Sequence, residues 1–248
     1  MRLTVLGAGP AYTNREGSTG ACYLVEQDGT HLLLDLGQGS FPRIFRHVAP
    51  EAIDAVVISH LHPDHFIDLV PMRHYLRYYL EPRRSVRVLG PADLARRIDS
   101  LHAQAGFTAE ALDASTLGTG PHRVGGLEVT AGLVLHTDES YAIRVAPDGS
   151  GPGLVYSGDC GRADDLVPLV RPGDVLLAEA SFGPGPVPQG AQHLDGPAVG
   201  RLATTTRAGR VLLTHLQMGH DPDATIASCR AAYDGPVDMV WPGDQLDL

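Results

Sequence analysis

The chain has 248 residues, 43% of them hydrophobic, enough to bury a full core within one domain spanning 1–248. No apolar run approaches the ~18–20 residues that a membrane-spanning helix needs. Nineteen arginines and no lysine stand against 29 acids, for a formal charge of −10; this excludes lysine Schiff-base and lysine-nucleophile chemistry and disfavours a polyanionic partner such as nucleic acid.

Met1-Arg2-Leu3-Thr4-Val5-Leu6 reads as a first strand, too short for a secretion signal. Gly7-Ala8-Gly9 then imitates a dinucleotide-binding fingerprint, but Tyr12 stands where the third glycine belongs and a hairpin follows, so that reading fails. The hairpin is marked by Asp28-Gly29 between apolar segments at 19–26 and 31–35. Further strands are expected near 54–58, 86–89, 122–135, 141–146, 153–157, 174–179, 210–214 and 237–241. Helices are expected near 40–48, 66–80, 91–105, 163–170, 195–207 and 222–233. Two strand-rich halves with interspersed helices suit a four-layer αββα sandwich, of the α/β class.

The most informative segment is His60-Leu61-His62-Pro63-Asp64-His65, directly after the β-branched run Ala55-Val56-Val57-Ile58. Three imidazoles and a carboxylate in one strand-end loop are costly to hold together unless a cation sits among them, and these are the donors that Zn²⁺ prefers. His60 and His62 face one position, whereas Asp64 and His65 lie past the turn and face a second. Three more apolar runs each end in a ligand-type residue: Leu133-Val134-Leu135 in His136, Leu154-Val155-Tyr156-Ser157-Gly158 in Asp159, and Val211-Leu212-Leu213-Thr214 in His215. A single histidine after a strand reads as structural. Seven such residues together are what two metals sharing one bridging carboxylate require.

The order H-x-H-x-D-H, His, Asp, His resembles the metallo-β-lactamase fold superfamily across nearly the whole chain. Asp159 in the bridging place, Ala178-Glu179-Ala180-Ser181-Phe182 and His193-Leu194-Asp195 are similar to the ribonuclease Z-like phosphodiesterase branch. Asp195 departs from that branch's usual Ser or Thr but keeps the capacity to cap a helix. Ser59 through His65, His136-Thr137-Asp138-Glu139-Ser140, Tyr156-Ser157-Gly158-Asp159 and Asp234-Gly235-Pro236-Val237 resemble the mycobacterial-type cyclic-AMP phosphodiesterases of this fold. The resemblance implies one metal on His60, His62 and His136, a second on Asp64, His65 and His215, and Asp159 bridging both. The implied ions are divalent, zinc by preference, with manganese or iron as alternatives. A hydroxide between two ions about 3.5–4 Å apart would attack phosphorus, Asp64 would take its remaining proton, His193 would steady the phosphate or protonate the departing oxygen, and Glu179 would orient His193. Relatives of this kind also imply a homodimer.

Other features narrow the expectation to a small phosphodiester, most of all a 3′,5′-cyclic nucleotide such as cyclic AMP. Ribonuclease Z-like enzymes carry a long arm between the third and fourth metal motifs. Here only 22 residues separate His136 from Asp159, room for a strand, a turn at 147–153 and another strand. The basic cluster Arg73, Arg77, Arg83, Arg84 and Arg87, interleaved with His74, Tyr75, Tyr78 and Tyr79, is expected to be a solvated helix face rather than an RNA grip. Gly183-Pro184-Gly185-Pro186-Val187-Pro188-Gln189-Gly190 has no periodicity and precedes His193, as a substrate loop would. The loop at Ser18-Thr19 is expected to add a neutral polar contact. Cys22, Cys160 and Cys229 are odd in number and in no metal-binding spacing, which fits a reducing cytoplasm. Absent lysine fits a GC-rich bacterial genome. Three other readings stay open: RNA 3′-end processing; carboxyl-ester, lactone or thioester hydrolysis on the same dinuclear site; and a non-enzymatic metal-binding or scaffold protein.

Overall fold

Alternation along the strands builds the layers. In a computed structural model, described here for residues 1–147 and 151–248, the first sheet contains β1 (Arg2–Gly7), β2 (Cys22–Gln27), β3 (Thr30–Leu34), β4 (Ala55–Val57), β5 (Val86–Gly90) and β6 (Leu112–Thr116). The second contains β7 (His122–Val124), β8 (Leu127–Leu133), β9 (Tyr141–Pro147), β10 (Leu154–Tyr156), β11 (Val175–Glu179), β12 (Arg210–Thr214) and β13 (Val237–Met239). A last strand, β14 (Gln245–Asp247), returns to pair with β1. The sheet orders are β14-β1-β2-β3-β4-β5-β6 and β13-β12-β11-β10-β9-β8-β7.

Leu32 and Leu34 of β3 point into the inter-sheet core with Tyr156, Leu177 and Leu212, while Leu33 points outward to Val56, Phe66 and Met72. The second sheet repeats the pattern, with Leu176 and Ala178 facing Val199, Leu202 and Cys229. Both faces of the central strands are therefore dry, which is why they read as continuous apolar runs. Helices α1 (Phe41–Ile44), α2 (Pro63–Phe66), α3 (Leu69–His74) and α4 (Leu94–His102) contribute to the outer face of the first sheet. Helices α5 (Gly196–Thr206) and α6 (Pro222–Arg230) contribute to that of the second. The result is the expected αββα sandwich. No helix is long and apolar enough to cross a membrane among the described residues.

The hairpin turn has positive φ at both Asp28 (47°) and Gly29 (81°), as a two-residue I′ turn demands. The helix expected at 66–80 divides into α2, α3 and a π-helical turn at Tyr75–Tyr79. Those expected at 40–48 and 163–170 shorten to one turn of α-helix and one 3-10 turn, Ala163–Leu166. Strands β6 and β14 were not expected, because each is a largely exposed edge strand without an apolar run. The turn expected at 147–153 has its centre, 148–150, outside the described residues.

Beside that turn the second sheet encloses an ion pair. Asp174 accepts from Arg144 Nε and NH2 (2.8 and 2.9 Å) and from the amides of Gly153 and Arg171, and both partners are buried. Removing one member strands the other charge without water. Asp174→Ala is expected to lower unfolding free energy by about 3–5 kcal/mol in urea titrations, with the catalytic rate per folded molecule retained; a loss under about 1 kcal/mol would mean that the pair is solvated.

Candidate metal centre

All the ligand-type residues singled out in the sequence meet at one edge of the sandwich, where strands leave both sheets. Pro63 begins α2, where its missing N–H costs nothing. Asp64 and His65 thereby stand in a first helical turn, with the His65 ring 4.1 Å from that of His60. Two clusters result, within each of which the donor atoms lie within 4.8 Å of one another.

The first cluster joins His60, His62, His136 and Asp159. His62 Nδ1 lies 3.1 Å from His60 Nε2 and 3.0 Å from His136 Nε2. Asp159 Oδ2 stands 3.8 Å from His60 Nε2 and 3.7 Å from His136 Nε2. The second cluster joins Asp64, His65 and His215. His65 Nε2 and His215 Nε2 each lie 3.7 Å from Asp64 Oδ2 and 3.4 Å from Asp159 Oδ1. The two oxygens of Asp159 thus turn to different clusters.

These groups suit a cation better than one another. His65 Nε2 and Asp159 Oδ1 are buried and form no hydrogen bond, an arrangement that costs free energy unless something else satisfies them. Burial, reinforced by the neighbouring His65 charge, pushes His60 well below the usual imidazole range; burial and His136 push His62 down as well. Both rings therefore keep a lone pair available. Burial disfavours the charged form of Asp159, yet His215 and His65 outweigh it and hold the carboxyl well below the usual carboxylate range. Neutral His60 and His62 beside the ionised Asp159 are donors of the kind a divalent metal site uses.

Behind the second cluster sits Asp35, which the sequence reading passed over. It is fully buried at the end of β3 and has φ of 58°. Its carboxylate accepts from His65 Nδ1, Ser59 N, Ser59 Oγ and Tyr156 OH, each at 2.7 Å. Burial opposes a charge on His65, but Asp159 and Asp35 outweigh it and raise the ring well above the usual imidazole range; with Nδ1 held by Asp35, Nε2 faces the cluster, where a cation would take the place of its proton. The signal was present, since Leu32-Leu33-Leu34 runs into Asp35 just as Leu154-Val155-Tyr156 leads to Asp159.

A parallel arrangement holds His193. Glu179, fully buried at the end of β11, accepts from His193 Nδ1 (3.0 Å), Cys160 N (2.9 Å), and the Ser181 amide and hydroxyl. Burial opposes a charge on His193, but the Glu179 hydrogen bond and charge prevail and raise its pKa to about 9. His193 Nδ1 is 3.8 Å from Asp159 Oδ2, so this pair borders the first cluster. Asp195 caps α5 by accepting from Ala198 N at 2.9 Å.

Other expectations are redirected. Of the basic cluster, Arg73 is buried and bound to Phe107 O and Glu110, Arg77 pairs with the same Glu110, and Arg87 donates to Arg123 O. Only Arg83 and Arg84 remain exposed. Thr19 Oγ1 donates to Leu6 O, so the neutral contact expected of that loop does not come from Thr19. The Cys160 thiol is pushed up to about 12 by burial and donates to Arg162 O, a filler's position.

Comparison with known proteins agrees with this architecture. The family model for the β-lactamase superfamily domain matches residues 33–216. An uncharacterized protein of Mycobacterium leprae is 34% identical, over 100% of this chain and 89% of its own. The probable metallo-hydrolase YhfI of Bacillus subtilis is 26% identical over 98% of this chain and 100% of its own. Its crystal structure superposes with a TM-score of 0.88 at 24% identity, covering 99% of both chains. A diphosphatase of the PhnP family (TM-score 0.77, 17% identity, 100% and 97% covered) and human short-form tRNase Z (0.75, 19%, 100% and 99%) share the fold.

Asp35→Asn is expected to leave the fold intact but to weaken divalent-metal binding about 10–100-fold, by losing the acceptor that fixes the His65 tautomer. Competition titration against a chelator measures this, and an unchanged affinity would remove Asp35 from the centre.

Proposed function

The chain belongs to the β-lactamase superfamily and is a metal-dependent hydrolase, and from that premise we propose that it hydrolyses a small phosphodiester, foremost a 3′,5′-cyclic nucleotide such as cyclic AMP, at a dinuclear centre. The observation that carries this reading is the division of Asp159, one oxygen toward His60 and His136 and the other toward His65 and His215. A carboxylate divided in that way would suit two ions, of which His60, His62 and His136 would hold one and Asp64, His65 and His215 the other. Imidazole and carboxylate donors without thiolate favour zinc, with manganese and iron as the alternatives. When bound, such ions supply Lewis acidity toward a phosphoryl group and lower the pKa of water toward ~7.

The chain's own residues supply the rest. Asp64, whose Oδ2 lies between His65 and His215, would accept a proton from the attacking water with its other oxygen. His193 spends Nδ1 on Glu179, which leaves Nε2 to face substrate as a donor; with its pKa raised to about 9, it carries that proton at neutral pH. A donor there suits protonation of the departing oxygen. Glu179 acts through His193 as a positioning residue.

Substrate size follows from what surrounds the centre. Between His136 and Asp159 the chain is β9 and β10, apart from 148–150, which lie outside the described residues. Three of the five arginines that would grip RNA, Arg73, Arg77 and Arg87, are spent internally, and the net charge is −10. These features favour a small substrate over a transfer-RNA precursor, although human tRNase Z shares the fold. The three free cysteines, all buried, fit a reducing cytoplasm.

A panel of cyclic nucleotides, a 3′-extended tRNA precursor and a carboxyl ester at matched concentration tests the substrate class. Cyclic nucleotides are expected to turn over fastest; efficient cleavage of the precursor with every cyclic nucleotide untouched would transfer the assignment to RNA processing. His193→Ala is expected to retain metal and lose roughly 10²–10⁴-fold in turnover. That loss should shrink for nitrophenyl diesters, whose leaving groups need little protonation. Equal losses for good and poor leaving groups would make His193 a phosphate-positioning residue.

A further inference from the structure

Resting on the phosphodiesterase reading, we infer that the cavity against His193 binds the nucleoside portion of the substrate, with Arg201 as its specificity-determining residue. The cavity measures about 500 Å³, within the range of about 300–1,000 Å³ typical of small-molecule sites. One wall is the α5 face formed by Ala198, Arg201 and Leu202, spaced three and four residues apart so that they project together. The 3-10 turn closes a second side with Arg162, and Val187 of the 183–190 segment a third. This gives that aperiodic segment a purpose, since its one branched apolar side chain faces the cavity that His193 borders.

The lining specifies chemistry. Phosphate belongs with the two clusters, so the cavity takes the organic group that phosphate carries. Arg162 Nε is bound to Asp165 at 2.8 Å. Arg201, by contrast, has no hydrogen-bond or ion-pair partner among the described residues and is exposed. The exposed Arg201 guanidinium and the apolar side chains of Ala198, Leu202 and Val187 in one cavity suit a flat heteroaromatic ring, which stacks on arginine and tolerates apolar edges. No residue in the lining is positioned by its hydrogen bonds to discriminate one base edge from another, so several bases are accommodated.

The alternatives are less suitable. A cavity beside His62, lined by Leu61, Arg97 and Thr137, measures about 220 Å³ and is too small for a nucleoside. A larger one, about 690 Å³ between α6 and β13, is lined by none of the seven ligand-type residues and not by His193.

Three variants test the inference in metal-loaded protein: Arg201→Glu, Ala198→Phe to fill the cavity, and Arg97→Glu as a charge-matched control beside the smaller cavity. Calorimetry measures the affinity for adenosine 5′-monophosphate; kinetics compare cyclic AMP with methyl 4-nitrophenyl phosphate, a diester without a nucleoside. Arg201→Glu and Ala198→Phe are expected to weaken monophosphate binding and to raise KM for cyclic AMP about tenfold or more, equivalent to ~1.4 kcal/mol. The nitrophenyl diester should be affected far less, and Arg97→Glu should leave monophosphate affinity unchanged. Because Arg201 is exposed, its variant reports even if Ala198→Phe misfolds. Unchanged affinity in Arg201→Glu, equal losses on both substrates, or a loss confined to Arg97→Glu would overturn the subsite. Wild-type hydrolysis of the nitrophenyl diester without any nucleotide binding would overturn the subsite alone, whereas hydrolysis of neither diester would overturn the phosphodiesterase reading and the subsite with it.

Discussion

Asp159 carries the charge that the centre is organised around. It is a buried carboxylate with five imidazoles within 4 Å, and one of its oxygens has no hydrogen-bond donor. Ionised carboxylates are expensive to bury unless compensated by positive charge and hydrogen bonds. The surrounding histidines cannot all be that compensation, because burial and mutual repulsion keep His60 and His62 in their neutral forms. Divalent cations held by these groups would resolve the conflict, since each neutral imidazole would then be a ligand instead of an unpaired dipole.

The sandwich makes such a concentration of polar groups feasible by placing it where neither core extends. Residues on β3, β4, β10, β11 and β12 pack the inter-sheet layer up to Leu34, Val57, Tyr156, Leu177 and Leu212, and the polar residues begin just beyond. Behind them, two buried carboxylates do equivalent work: Asp35 fixes the face that His65 presents, and Glu179 fixes that of His193. Positive φ at both Asp35 and His215, each 58°, places backbone strain at the same edge, consistent with strain concentrating where geometry serves a site.

Much of this was legible because metal ligands and buried strands leave short-range signals. The His60–His65 segment, the strand-then-ligand pattern at His136, Asp159 and His215, and the I′ turn at Asp28-Gly29 all lie within a few residues. What was hidden depends on distant contacts. Asp35 carries the same strand-end signature but looked like the end of a hairpin, because its partners Ser59, His65 and Tyr156 lie 24 to 121 residues away. The edge strands β6 and β14 have too little buried surface to impose a pattern. The arginines from α3 onward looked like one basic face, whereas Arg73 is packed over Phe107 at 3.9 Å, a contact that spacing along the chain does not reveal.

The central claim is that one carboxylate shares two ions, and metal content measures it most directly. Protein purified with neither added metal nor chelator should contain about two divalent transition-metal ions per chain, and Asp159→Ala should lose at least one of them together with its turnover. Full metal content and normal turnover in Asp159→Ala would contradict the bridge.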